Sequence, residues 1–234
     1  MNNFGNQLQL PSQVGVRPTT QLSAGFLSQA FTWMFAGLLL TAGITYLVQS
    51  DSRVYSAAAN LFMPALLLEL GVVFGISLLI RRISAIVALG LFFVYAALNG
   101  LTIGLIVSAY TTASVATAFL SAAGMFGAAA VYGAVTKRSL ASMGGFLFMA
   151  LIGLIIAMVL NLFFANGVLS LLISVAGVVI FTGLTAYDTQ RIARGDYAAG
   201  LGSMEKGAVF GALRLYLDFI NLFLMFLRLS GSRR

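Results

Sequence analysis

The chain contains neither cysteine nor histidine. Their absence excludes disulfide frameworks, thiolate or imidazole zinc sites, thiol nucleophiles and every Ser-His or Cys-His catalytic arrangement. Charge is scarce as well. Thirteen Lys+Arg and 6 Asp+Glu make up 8% of 234 residues, where a water-soluble domain devotes about a quarter of its positions to charge. Neither a Walker Gly-Lys-Ser/Thr nor a strand-flanked G-x-G-x-x-G occurs, which removes the usual phosphate cradles and, with them, coupling to ATP. What remains is apolar: 60% of residues are hydrophobic and the mean hydropathy is +1.01. Such a composition belongs in a bilayer, and the lipid is its first expected partner. A net charge of +7 does not indicate nucleic acid, because the cations are scattered between apolar runs and form no basic face.

Residues 1–25 are polar, with Arg17 as their single charge, and are expected to form a flexible tail. They do not resemble a cleavable signal, since the first apolar run starts late and exceeds the usual core of about 7 to 15 residues. A helix needs about 20 residues to cross the hydrocarbon. Runs at 26–48 and 61–80 fit that ruler, and the second ends at Arg81-Arg82. The uncharged stretch 83–136 is too long for one crossing and divides at Ser108 to Thr112, giving spans 83–107 and 113–135. A second uncharged stretch divides at Ala165-Asn166-Gly167 into 144–164 and 168–187, and a last run covers 208–227. The runs lack the in-out alternation of barrel strands, so an all-α membrane protein with seven transmembrane helices over residues 26–229 is expected, followed by a basic tail at 230–234. Glycine pairs at helical spacing, Gly71 with Gly75, Gly100 with Gly104 and Gly207 with Gly211, are expected to let helices approach closely. Trp33, Tyr46, Tyr55, Tyr110 and Tyr197 read as interfacial anchors.

Loops after the second, fourth and sixth spans hold Arg81-Arg82, Lys137-Arg138 and Arg191, Arg194 and Lys206, whereas those after the first, third and fifth hold only Arg53. This asymmetry predicts a cytoplasmic N-terminus. One feature disagrees: seven full crossings put Arg228, Arg233 and Arg234 outside, unless the last run is re-entrant. Seven spans is the preferred reading.

An ionisable side chain deep in a span costs roughly 2.5–3.5 kcal/mol on insertion scales, so each should face the bundle interior and have a partner. Glu69 lies mid-way along the second span, Asp188 at the inner end of the sixth, and Arg214 and Asp218 within the seventh. Arg214 and Asp218 are four residues apart and can pair on one helical face. Three carboxylates against one deep arginine still leave excess negative charge. Protons can neutralise it, and so can a hard cation such as Ca²⁺, which takes oxygen ligands. Passage of cations or protons follows as the expected function. Asn99, Asn161 and Asn221 are expected to bridge helices, and Asn221 could instead orient Asp218.

The segments Thr185-Ala-Tyr-Asp-Thr-Gln-Arg-Ile192 and Arg214-Leu-Tyr-Leu-Asp-Phe-Ile-Asn-Leu-Phe-Leu224 resemble the Bax inhibitor-1 family of transmembrane Bax inhibitor motif proteins. Both place charge inside otherwise apolar helices, and the size and seven runs agree over about residues 20 to 230. The resemblance implies two three-helix layers around a central C-terminal helix and a pH-sensitive passive leak of Ca²⁺, opening on acidification. It implies a latch in which Asp188 faces Asp218, a tentative calcium site at the same pair, Arg81 or Arg82 as an exchangeable partner, and Glu69 on the ion pathway. Calcium would be the transported ion, protons the signal, and no cofactor is expected. Two carboxylates in contact share one proton best, so such a latch weakens when that proton leaves or a second arrives.

Two other readings compete. Some bacterial proteins similar to the family regulate a membrane protease, and the polar tail could supply a docking segment. An intramembrane aspartyl protease also carries Tyr-Asp on one span and Asp on the next. Here the second acid follows Leu217 in place of a Gly-x-Gly, and Pro64-Ala65-Leu66 precedes both acids where it should follow them, so an enzyme is not expected.

Overall fold

A computed structural model describes residues 20–232, with side chains from Gly25 onward. The tails expected at 1–25 and 230–234 therefore lie outside the described residues except for their inner ends. Nine helices are described: α1 (Thr20–Ser50), α2 (Ser52–Asn60), α3 (Phe62–Leu79), α4 (Ala85–Ser108), α5 (Thr112–Val135), α6 (Ala141–Phe164), α7 (Gly167–Ala193), α8 (Asp196–Leu201) and α9 (Met204–Ser230). Seven of them, all but α2 and α8, are long and apolar enough to cross a membrane. The protein is all-helical among the described residues, as the runs predict.

Polar residues at the breaks start the helices. The side chains of Ser84, Thr111, Asn166 and Ser203 accept from the backbone N–H groups of Val87, Ser114, Leu169 and Lys206, which would otherwise lack a partner in the first turn. The α6–α7 turn passes through Ala165 in the left-handed region (φ 47°), and Gly195 (φ 72°) and Gly202 (φ 64°) bracket α8. The two glycines reverse the chain twice within a few residues, turning α8 back onto the end of α7.

The C-terminal helix α9 is the most enclosed, with 67% of its apolar window buried against 11% for α3 and for α6. It packs on α1, α4, α5, α7 and α8, while α3 leans on α4 and α6 on α7. It runs unbroken for 27 residues, about 40 Å at 1.5 Å per residue, so the last run is long enough for a full span. The loops after α3, α5 and α7 gather at one end. There the Lys206 ammonium donates to the Arg81 carbonyl (3.3 Å), and the Arg194 guanidinium to the Ser139 hydroxyl (3.3 Å). At the other end the Thr111 N–H donates to the Ser232 carbonyl (3.2 Å).

Of the three glycine pairs, two make close approaches and one does not. A Cβ on Gly100 would lie 2.7 Å from Ile44 Cβ, and one on Gly104 2.8 Å from Val48 Cβ, so this pair seats α1 on α4. Gly207 does the same for α8, where a Cβ would sit 2.7 Å from the Ala198 nitrogen. Gly71 and Gly75 have nothing within 4 Å because their side of α3 faces outward; a Gly-x-x-x-Gly spacing marks a smooth surface but not which surface is covered. Gly100→Ala is expected to destabilise the bundle by about 1–3 kcal/mol through overpacking, and Gly71→Ala by no more than about 0.5 kcal/mol. Thermal unfolding in detergent measures both.

Candidate functional site

The two motif segments meet at the core. Asp188, near the end of α7, and Asp218, mid-way along α9, are 1% and 4% exposed. Their carboxyls interact electrostatically with each other and with the Arg214 guanidinium. Small contacts at helix crossings allow this. Gly211 on α9 sits under Ile192 of α7, and Gly177 on α7 under Met225 of α9, where added Cβ atoms would come within 3.0 Å and 2.6 Å of those side chains.

Four buried side-chain atoms among the described residues have no hydrogen-bond partner: Asp188 Oδ2, Thr189 Oγ1, Arg214 Nε and Asp218 Oδ2. All four belong to this one site or flank it. Buried polar atoms are nearly always partnered, so a cluster of exceptions marks a place where a proton, a cation or solvent completes the arrangement.

Tyr197 of α8 is the partner that sequence reasoning missed. Read as an interfacial anchor, it is 5% exposed, and its phenol donates to Asp188 Oδ1 at 2.5 Å. That separation is in the range of charge-assisted O–H···O⁻ bonds. Burial and the Asp188 charge push the Tyr197 phenol above its ordinary value, so it stays a donor throughout the neutral range. Arg191 stacks on the Tyr197 ring (4.6 Å) and pairs with Asp196 (3.6 Å), fixing α8 against α7. The signal was faint: an isolated tyrosine between glycines does not announce that the chain folds back. Tyr46, by contrast, is 70% exposed, consistent with an anchor, while Tyr110 is buried.

Arg214 and Asp218 do not form the expected i,i+4 ion pair; the Arg191–Asp196 contact is the one ion pair among the described residues. Helical side chains lean toward the N-terminus, and the Arg214 guanidinium accordingly lies over the Phe210 ring one turn earlier, 5.6 Å from its centroid. It acts on the aspartates through its charge without touching them. Arg81 and Arg82 are exposed and form no ion pair or side-chain hydrogen bond among the described residues; the cations acting on Asp188 are Arg214 and Arg191. Asn221 donates to the Leu217 carbonyl of its own helix (2.8 Å) and leaves Asp218 alone. Asn161 bridges α6 and α7 through Ser170 (2.8 Å).

Glu69 occupies a separate cluster. Thr102 Oγ1 donates to its Oε1 (2.9 Å) and Asn99 Nδ2 to its Oε2 (3.2 Å), both from α4. The cluster adjoins Tyr95, whose ring meets that of Tyr216, and Tyr216 shares a 2.6 Å hydrogen bond with Thr41 of α1. No group of three or more acidic ligands that could hold a metal ion occurs among the described residues.

Residues 23–234 match the family described as inhibitor of apoptosis-promoting Bax1. The chain belongs to the Bax inhibitor-1 family. It is 41% identical over 225 residues to the inner membrane protein YbhL of Escherichia coli, covering 94% of this chain and 96% of that one. A Deinococcus radiodurans protein is 45% identical over 210 residues, covering 89% and 90%, and one from Borreliella burgdorferi 42% identical over 214, covering 89% and 92%. The family is a membrane-protein family and not a known enzyme family.

Gln190, next in the motif after Thr189, clamps the site to the α5–α6 loop: its Oε1 accepts from the Leu140 N–H and its Nε2 donates to the Arg138 carbonyl, both at 2.8 Å. Gln190→Ala leaves the Leu140 N–H unserved, and a loss of about 1–3 kcal/mol is expected. Thermal unfolding in detergent reads this out, with exposed Lys137→Ala as the unaffected control.

Proposed function

We propose that the protein is a pH-sensitive passive calcium leak of the bacterial inner membrane, with Asp188 and Asp218 as its proton-operated latch. The carrying observation is that two buried carboxylates lie in electrostatic reach of each other and of a single internal arginine, with one oxygen on each unserved by any protein group. Arg214 offsets one negative charge. The second must be met by a proton in the closed arrangement or by a cation in passage. Ca²⁺ wants about six to eight oxygens, and two carboxylates with the Thr189 hydroxyl offer fewer, which suits a transported ion that must leave again. The name of the Escherichia coli relative supports the inner membrane, and the gathering of Arg81, Arg82, Lys137, Arg138, Arg194 and Lys206 at one end supports a cytoplasmic N-terminus.

One proton shared by the pair, with Arg214 and Tyr197 holding the remaining charge, is the low-energy closed state. A second proton removes the anion that both groups hold. The charge-assisted bond to Tyr197 becomes an ordinary one, and the attachment of α8 and α9 to α7 loosens. Acidification therefore opens the path.

In liposomes with an entrapped calcium indicator, the leak is expected to rise roughly tenfold across the one to two pH units of the titration. Asp188→Asn and Asp218→Asn should flatten that profile. Tyr197→Phe removes a donor that favours ionised Asp188, so the second proton binds more easily and half-maximal leak moves to higher pH by up to about one unit. A parent leak that is indifferent to pH, or an Asp218→Asn profile matching the parent, rejects the proposal.

A further inference from the structure

The three cations at the C-terminus run against the charge asymmetry of the loops, and one of them has a structural setting that the aspartate site does not use. Arg228 lies in the last turn of α9, at the end of the bundle opposite the basic loops. With the α6–α7 hairpin it borders a half-open cavity of about 630 Å³. Among the described residues its guanidinium has one hydrogen-bond partner, the neutral thioether of Met158 at 3.9 Å, a weak acceptor for a group with five donors. No aspartate or glutamate lines the cavity. A mouth for Ca²⁺ would carry acids, whereas this one presents a positive charge with no acidic partner among the described residues.

The lining changes character with depth. Near Arg228, at the level of the α6–α7 turn, are Asn161 and Ser170; the Ser170 hydroxyl accepts from Asn161 Nδ2, leaving its own proton free to donate. Deeper, toward the bilayer centre, the walls include Ile155, Val159 and Ile173. From Asn161 back to Ile155 the helix descends about 9 Å. A cation and hydroxyl at headgroup level above an apolar trough between membrane-spanning helices is complementary in charge and polarity to one kind of molecule.

We propose that this cavity binds one anionic phospholipid, its phosphate on Arg228 and Ser170 and an acyl chain along Ile155, Val159 and Ile173. The planar guanidinium matches a phosphate in bidentate fashion, and basic pockets between membrane helices hold lipid headgroups in this way. The site accounts for an arginine kept on the face whose loops hold only Arg53. It stands independently of the calcium reading, since it shares no residue with the aspartate latch.

The test is native mass spectrometry and thermal unfolding of the full chain in detergent, with phosphatidylglycerol, phosphatidylcholine or inorganic phosphate added. The parent is expected to retain one phosphatidylglycerol per chain and to unfold at higher temperature with it than with phosphatidylcholine. Arg228→Gln should weaken that retention roughly fivefold, while Arg53→Gln, an exposed arginine on the same face, leaves it unchanged. Val159→Trp, which fills the trough and keeps the arginine, should lower retention as well. Equal retention of the two lipids, unchanged retention in Arg228→Gln or in Val159→Trp, an equal loss in Arg53→Gln, or the same stabilisation by inorganic phosphate would each overturn the proposal.

Discussion

Removing a carboxylate from water costs several kcal/mol unless something compensates it, and much of this architecture can be traced to that cost at two positions. Asp188 and Asp218 are buried, so the helix faces bearing them must be covered by neighbours. The helix α9, with charge at its middle, is the most enclosed, and α3 and α6 are the least. Close seating of α7 on α9 depends on glycines at the crossings. The short α8 brings one phenol to Asp188, held by Arg191, which stacks on that phenol and pairs with Asp196.

The chain contains an internal control for this reasoning. Glu69 is also a buried carboxylate in a span, yet both its oxygens receive donors from one neighbouring helix. A satisfied network of that kind rigidifies α3 against α4. At the aspartate site each carboxyl keeps an unserved oxygen, and the nearby guanidinium keeps an unserved Nε. The two sites thus differ in whether the protein has finished its own hydrogen bonding, and the aspartates are also the more deeply buried. Under the proposed latch, that difference in hydrogen bonding would separate a structural carboxylate from one that exchanges a proton or a cation.

Membrane spans were legible because hydrocarbon imposes a length on apolar runs, and the six acids and thirteen cations were few enough to inspect singly. The helices α2 and α8 were not legible, being short and without an apolar run to mark them. Tyr197 was misplaced for the same reason: its role depends on two left-handed glycines reversing the chain, a tertiary fact that spacing does not carry. The expected Arg214–Asp218 pair relied on sequence separation alone and neglected the lean of helical side chains, which sends Arg214 back over Phe210. Gly71 and Gly75 show the matching limit for packing motifs, since spacing is identical on covered and uncovered faces.

The aromatic residues beside Asp218 bear on how a path through this bundle would be closed. Phe219 and Phe223 of α9 meet Phe119 and Phe126 of α5, with ring centroids 5.5 Å to 6.5 Å apart in edge-on contacts. These rings adjoin Asp218 between α5 and α9 and present no oxygen of their own to replace a cation's hydration shell. Under the proposed leak the aspartate pair would decide when the helices part, while the rings would supply the barrier that parting must remove, as hydrophobic constrictions do in channels. The two functions belong on the same helix. In that reading a proton bound at Asp218 would alter the hold on α9, and α9 carries two of the four rings, so a local change of charge would become a change in packing without an intervening relay.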